Sequence, residues 1–144
     1  ETEDQFSDSE LKAVEKRASC EQGWTRHGNR CFRSFSSGLS WSKAEEYCVK
    51  RGGHLASIHN VNEAHFLEKL SGKRHSYWIG GWGSSTHLKW YWTDGSAFDY
   101  SNWHGWEPNN NGGNEHCIRT YNSGGGIWND VACTQSHLFV CAKY

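Results

Sequence analysis

The 144-residue chain has no methionine, a single proline and no apolar run of the roughly 18 residues that a membrane-spanning helix needs. Its formal net charge is −1, and its basic residues never form the Lys/Arg-rich run that is typical of nucleic-acid-binding segments. Cys-x-x-Cys spacing is also missing, which argues against zinc and thioredoxin-like sites. These absences favour one compact domain whose partners are neutral.

The cysteines point to disulfide bonds and therefore to an extracellular, secreted protein. Six cysteines, at positions 20, 31, 48, 117, 133 and 141, allow 15 pairings, and their spacing alone does not choose among them. The chain begins with acidic residues rather than with the basic start of a signal peptide, so we interpret it as a processed form.

Residues 1–19 differ in composition from the rest of the chain, since they are acidic and almost free of aromatic side chains. We interpret them as an arm outside the core, and residues 20–144 as one domain. Three apolar residues within the arm have the spacing of a helical stripe, so the arm is either a solvated tail or a short neck that pairs chains. Lys16-Arg17 leaves a third interpretation open, a propeptide that ends at a dibasic site.

Two kinds of pattern predict β structure. Aromatic and polar residues alternate over 24–35 around Gly28-Asn29, a dipeptide suited to a hairpin turn. Beyond residue 76, short β-like segments alternate with Gly, Asn and Ser, and an irregular stretch over residues 96–116 has the length of a functional loop. The strands predicted after the hairpin are 54–58, 77–79, 90–92, 117–121 and 138–142.

Two helices are predicted in the first half of the chain. The first begins at Ser40 or Ser42, has Glu45 in position to complete a capping box with Ser42, and ends at a pair of glycines. Cys48 falls on its apolar face and is predicted to point inward. The second helix is predicted over residues 60–72, with an asparagine cap at its start.

The densest group of polar side chains lies in and after the irregular stretch. Glu107-Pro108-Asn109, Glu115 and Asn129-Asp130 supply three carboxylates and two amide oxygens, which are the hard ligands that calcium prefers. A cis Glu107-Pro108 bond would turn neighbouring carbonyls to one side. Three negative charges gathered without a cation would repel one another. The pattern therefore indicates either a calcium site or a solvated acidic loop.

Three motifs resemble those of the C-type lectin-like domain in its long form. Trp78-Ile79-Gly80-Gly81 is similar to its Trp-Ile-Gly-Leu motif except at the last position, and Trp128-Asn129-Asp130 matches its Trp-Asn-Asp motif. Glu107-Pro108-Asn109 matches its mannose-type sugar motif, and the resemblance covers about 20–144. It implies an α+β fold with two helices, two small antiparallel sheets, a long loop region and three disulfides. The implied pairs are Cys20–Cys31, Cys48–Cys141 and Cys117–Cys133.

For the oxygen-rich segment, the resemblance implies one calcium ion that binds two neighbouring sugar hydroxyls directly. One ion rather than several is expected, because weaker ligands stand where many family members have auxiliary carboxylates. The Glu-Pro-Asn order implies equatorial hydroxyl pairs, as in mannose, whereas Gln-Pro-Asp would imply galactose. The implied metal ligands are Glu107, Asn109, Glu115, Asn129 and Asp130. The expected sugar contacts are Glu107, Asn109, Glu115, Asn129, Trp106 and His116.

Other functions stay open from the sequence. Gly124-Gly125-Gly126 lengthens the hairpin before the Trp-Asn-Asp motif, which leaves room for a galactoside-binding lectin that needs no calcium. Residues 52–59 resemble the type II antifreeze branch of fish, so ice binding is a rival, and recognition of a protein is another. An enzyme is not expected, because Gly-x-Ser-x-Gly, His-Glu-x-x-His and phosphate-binding glycine loops are missing.

The predicted function is that of a secreted lectin for glycans on microbial or mucosal surfaces, in innate defence. One shallow site binds a single sugar weakly, so agglutination needs several sites in one assembly. We therefore expect a homodimer or higher oligomer that has no nucleic-acid partner and does not span a membrane.

Overall fold

The computed structural model of the chain describes residues 19–72, 75–84, 89–105, 107–110, 113–120 and 126–144. Apart from Ser19, the predicted arm lies outside these residues. No helix within them is long and apolar enough to cross a membrane. The elements are β1 (Thr25–His27), β2 (Arg30–Leu39), α1 (Trp41–Lys50), β3 (His54–Leu55), α2 (Val61–Ser71), β4 (Tyr77–Gly83), β5 (Trp90–Trp92), β6 (Glu115–Thr120), β7 (Trp128–Ala132) and β8 (His137–Lys143).

The predicted hairpin and the second helix are confirmed. Strands β1 and β2 pair antiparallel across a turn in which Gly28 has a φ of 63°, a conformation that glycine adopts without steric cost. At the start of α2, the side chain of Asn60 accepts a hydrogen bond of 2.9 Å from the Glu63 amide. Glu63 Oε1 in turn accepts one of 2.6 Å from the His59 amide, so the first turn is capped from both sides.

The capping box predicted for the first helix is wrong. Helix α1 begins at Trp41, and its N-cap residue Ser40 makes no side-chain cap hydrogen bond. Glu45 reaches β3 instead, where Oε1 accepts from the Leu55 amide at 2.8 Å and Oε2 lies 2.7 Å from His54 Nδ1. The carboxylate therefore satisfies a strand amide rather than a helix amide, and it joins α1 to β3.

The predicted α+β fold of the C-type lectin type is confirmed, with one difference in its sheets. The strands form a single mixed sheet in the order β1-β2-β8-β4-β6-β7, in which β3 also pairs with β8 and β5 with β4. A short parallel pairing of β4 with β8, where Tyr77 lies opposite Leu138, joins the two antiparallel halves that the family resemblance implied as separate sheets. Strand β7 was not among the predicted strands, because its polar Asn129-Asp130 breaks the apolar pattern.

All three predicted disulfides form. Cys20–Cys31 ties the segment before β1 to β2, and Cys117–Cys133 ties β6 to the turn after β7. Cys48–Cys141 joins α1 to β8, and both of its cysteines are fully buried, as predicted for Cys48. This pair lies 93 residues apart in the chain, and closing a loop of that size stabilises the fold by about 4–5 kcal/mol in the chain-entropy model.

Gly81, where the chain departs from the Trp-Ile-Gly-Leu motif, leaves space for a core side chain. A Cβ atom at this position would lie 2.2 Å from Ile118 Cδ1, and Ile118 is fully buried. We expect Gly81→Ala to lower the free energy of unfolding by about 1–3 kcal/mol through overpacking. Ile118→Val removes Cδ1, so the double variant should be more stable than the sum of the single effects predicts.

Denaturant unfolding of the parent, the two single variants and the double variant measures this coupling. Additive changes in the free energy of unfolding would contradict a close contact between position 81 and Ile118.

His137, at the start of β8, gives the fold a pH dependence. Its ring meets that of Trp78 edge-on at 4.8 Å, and burial together with the positive charge of Arg119 lowers the pKa of His137 from 6.5 to about 4. The unfolded chain therefore takes up a proton at a higher pH than the folded chain. The free energy of unfolding is therefore highest, as far as His137 is concerned, above about pH 6.5, where the ring is neutral in both states. This contribution is lost as the pH falls toward about 4.

We expect His137→Gln to remove this part of the acid destabilisation. Free energies of unfolding for parent and variant, measured from neutral pH down to about pH 4.5, should converge or cross as the pH falls. Parallel curves over that range would show that His137 titrates alike in both states.

Candidate functional site

Strands β6 and β7 place two parts of the predicted site side by side. They pair antiparallel, with Ile118 opposite Asp130 and Arg119 opposite Asn129. Glu115 begins β6 opposite Ala132. A register shift between Glu115 and Cys117 separates it from the regular part of the ladder. The ladder therefore sets Glu115 opposite a residue two positions beyond Asp130.

Asp130 joins the third part of the site to these strands. Its side chain is fully buried, Oδ1 accepts a hydrogen bond of 3.1 Å from the Asn109 amide, and Oδ2 accepts one of 2.7 Å from the Asn110 amide. Asn110, whose φ is 47°, accepts with Oδ1 from the Glu115 amide at 3.0 Å. Three hydrogen bonds thus connect loop 107–110 to both strands.

The chain that leads into this loop is held to the first residue of β7. The Trp128 amide donates to the Asn102 carbonyl at 2.8 Å, and the His104 amide donates to the Trp128 carbonyl at 2.9 Å. The Glu107 amide then donates to the His104 carbonyl at 2.7 Å, and the Glu107-Pro108 peptide bond is cis. The backbone positions of the loop are therefore fixed on the strand that carries Asn129 and Asp130.

The donor atoms suit a hard cation such as calcium. Asn129 Oδ1 is buried and accepts no hydrogen bond from any residue that the structure describes, a state that costs about 1–3 kcal/mol unless another partner is present. Asn129 directly precedes the buried Asp130 in β7, and the other candidate ligands of the site are carboxylate and amide oxygens. Over the described ranges, no three His, Cys, Asp or Glu side chains group closely enough to hold a metal ion, so an ion here depends on amide oxygens as well.

The aromatic side chains near the loop have packing roles. Trp128 is fully buried, and its ring meets those of Trp92 and Trp103 edge-on at 5.4 and 5.6 Å. Trp103 is half-buried and lies 5.0 Å from the ring of Trp90, so its ring packs between Trp90 and Trp128. Trp106, predicted as a sugar contact, lies outside the described residues. The described rings therefore pack around Trp128, the first residue of the strand that contains Asn129 and Asp130.

His116, the other predicted sugar contact outside the motifs, lies within β6 directly after Glu115. Its side chain is half-buried, and the Nδ1 atom has no contact with solvent. The structure therefore places His116 beside the site but gives it little exposed surface.

A polar network that sequence reasoning missed anchors the start of the long loop region. Ser57 and Ser96 both donate to the carboxylate of Asp94, and His59 lies 3.0 Å from Ser96 Oγ and 2.8 Å from Asp99 Oδ1. Burial raises the pKa of Asp94, but the two serine hydrogen bonds and the charge of a nearby arginine outweigh it and hold the pKa below its ordinary value. The local sequence signal for this network is the Asp94-Gly95 dipeptide, which predicts a turn. It does not predict that Ser57 and His59 lie close to Asp94 and Ser96.

Comparison with known proteins agrees with the architecture. The family model described as Lectin C-type domain matches residues 37–143. Galactose-specific lectin nattectin of Thalassophryne nattereri is 42% identical over 88% of this chain and 81% of its own, and ladderlectin of Oncorhynchus mykiss is 41% identical over 90% and 70%. The crystal structure of a calcium-independent type II antifreeze protein, 38% identical, covers 87% of this chain and 94% of its own with a TM-score of 0.82. The motifs, the disulfides, the mixed sheet and these likenesses together place the chain in the C-type lectin domain family.

Proposed function

We propose that this chain is a carbohydrate-binding lectin in which one calcium ion binds the sugar. The observation that carries the proposal is the buried Asn129 Oδ1, which accepts no hydrogen bond from a described residue. The next residue in β7 is Asp130, which is fully buried. Its carboxylate holds the loop that contains Glu107 and Asn109. A cation bound to Asn129 Oδ1 would give this amide oxygen a partner. The same cation would also be bound by Glu107 and Asn109, the two ends of the Glu-Pro-Asn motif.

The roles divide according to hydrogen-bonding capacity. When bound, calcium supplies a centre to which two neighbouring sugar hydroxyls coordinate. Carboxylates of Glu107 and Glu115 accept hydrogen bonds from those hydroxyls, and amides of Asn109 and Asn129 donate to them. Asp130 contributes its charge and orients the loop. The proposed ligand set is Glu107, Asn109, Glu115, Asn129 and Asp130, with Trp106 and His116 as flanking sugar contacts.

The proposed sugar class rests on the family resemblance. In C-type lectin-like domains the Glu-Pro-Asn order, with the acceptor before the donor, implies an equatorial pair of hydroxyls and hence mannose-type sugars. Nattectin is named a galactose-specific lectin, so galactose is the alternative within the same site. Neither sugar asks the chain to catalyse a reaction, and a calcium-bound carboxylate is a poor proton donor. We therefore propose a binding module rather than an enzyme.

The setting we propose is extracellular. Three disulfides among the described residues persist in an oxidising compartment, as expected of a secreted lectin. Agglutination of glycan-bearing cells in innate defence requires at least two sites per assembly, and chains would pair through residues 1–19 or through an outer face of the domain.

Ice binding is the second candidate, and the observation that favours it is the TM-score of 0.82 with a calcium-independent type II antifreeze protein. In that case the loop surface would contact ice without an ion. Thermal hysteresis that is unchanged by chelator, together with no retention on any sugar matrix, would favour this function over the lectin.

We expect calcium-dependent retention on immobilised mannose, loss of retention with chelator, and weaker retention on immobilised galactose. Glu107→Gln with Asn109→Asp should reverse the sugar preference, because it exchanges the accepting and donating ends of the motif. Glu46→Gln with Asn62→Asp makes the same chemical changes at exposed positions of α1 and α2 and should leave the preference unchanged. Retention that survives chelator, or a ranking that the loop variant does not alter, would contradict the proposed roles.

Asn129→Ala separates ion binding from folding. Since Asn129 Oδ1 accepts no hydrogen bond from a described residue, its removal should cost little stability in chelator. Calcium should raise the Tm of the parent by mass action but not that of the variant. Thermal melts with calcium, with magnesium and with chelator measure this. A calcium-induced rise of equal size in both proteins would exclude Asn129 as a ligand.

A further inference from the structure

Arg33 of strand β2 and Arg51, the C-cap residue of helix α1, lie over a shared aromatic surface. Arg33 Cζ lies 5.1 Å and Arg51 Cζ 5.7 Å from the centroid of the same ring, that of Phe35. Arg51 Cζ also lies 3.3 Å from the ring centroid of Tyr47, and its Nη1 donates to the Tyr47 carbonyl at 3.1 Å. We call these four residues the arginine–aromatic cluster.

The surrounding rings limit where the two guanidinium groups lie. Phe139 stacks on Phe35 at 5.0 Å with an interplanar angle of 16°, which leaves the opposite face and the edge of Phe35 for the arginines. Tyr47 packs edge-on against Phe35 at 4.9 Å and supports Arg51. Both arginine side chains are exposed. The cluster therefore presents two positive groups to solvent from one aromatic base.

The charges of these two arginines are not balanced within the described part of the chain. None of the ion pairs there includes Arg33 or Arg51. Lys143, whose Nζ contacts the Arg51 carbonyl at 3.4 Å, is itself paired with Glu21 at 3.0 Å. In a protein of net charge −1, the cluster is thus a local positive site with unused N–H donors.

We propose that the arginine–aromatic cluster binds the sulfate groups of an acidic polysaccharide. A guanidinium group offers a planar pair of donors to a tetrahedral oxyanion, and the rings hold both groups in place, so less side-chain freedom is lost on binding. Two such groups near one ring provide more than one anion contact, which a chain with repeated sulfate groups can use together. The ligand class differs from the neutral sugars proposed for the calcium loop.

The same geometry argues against single-stranded nucleic acid. Binding of single strands relies on free aromatic faces on which bases stack. Here Phe139 covers one face of Phe35, and guanidinium groups lie over the rings of Phe35 and Tyr47. The cluster therefore offers charge and hydrogen-bond donors but little stacking surface.

The cluster and the calcium loop are separate sites. Strand β2 is divided from β6 and β7 in the sheet by β8 and β4, so binding at the cluster is separate from the candidate ligands Glu115, Asn129 and Asp130 on those two strands. The inference consequently stands whether or not the calcium site binds sugar, and it is tested in chelator.

Binding of dextran sulfate by the full chain is measured in chelator, with unsulfated dextran as the reference. We expect the sulfated polymer alone to bind, and its affinity to fall about tenfold in Arg33→Gln with Arg51→Gln, as expected for two exposed charge contacts. Arg26→Gln with Lys69→Gln removes the same charge from exposed positions of β1 and α2 and should change affinity much less. Arg33→Lys with Arg51→Lys should bind with intermediate affinity, because it keeps charge but loses the planar donor pair.

Thermal melts confirm that each variant is folded under the binding conditions. The proposal is overturned by a parent protein that does not bind dextran sulfate, or by equal losses in the cluster variant and the charge-matched control. It is also overturned by single-stranded DNA that binds as tightly as dextran sulfate with the same dependence on Arg33 and Arg51.

Discussion

The buried carboxylate of Asp130 is the contact on which the candidate site depends. It accepts hydrogen bonds from two successive loop amides, those of Asn109 and Asn110, and in the same position it is a proposed ligand of the ion. Loss of this acceptor would leave two amides unsatisfied, at about 1–3 kcal/mol for each one that stays buried. The side chain that orients loop 107–110 is thus the one that would offset part of the positive charge of the proposed ion, so ion binding would be linked to the position of the loop.

Much of the fold could be predicted from local patterns. The turn at Gly28, the Asn60 cap and the inward face of Cys48 each depend on residues within a few positions of one another, and each is confirmed. The disulfide pairs required a family resemblance, because spacing leaves 15 choices. The capping box at Glu45 failed for a physical reason: a carboxylate near a helix start can satisfy a strand amide brought close by the fold, and here it satisfies that of Leu55.

The candidate site shows the same limit. Its motif residues could be named from the sequence, whereas Asn110, the link between loop and β6, is one of three successive asparagines and carries no distinguishing signal. The parallel pairing of β4 with β8 joins residues about 60 positions apart, which no local pattern encodes. Arg33 and Arg51 do not form a basic run, because they are far apart in sequence. They become neighbours only in the fold, through the ring of Phe35.

The position of β8 has a consequence for the order in which the domain can assemble. This strand lies between β2 and β4, and it pairs with β2 across about 100 intervening residues. During synthesis, β2 and β4 therefore have no β8 to pair with until nearly all of the domain has left the ribosome. Such long-range pairing slows folding and prolongs the exposure of apolar strand edges. The unpaired edges of β2 and β4 are both exposed until β8 emerges, so chaperone binding would protect the nascent chain most just before that point.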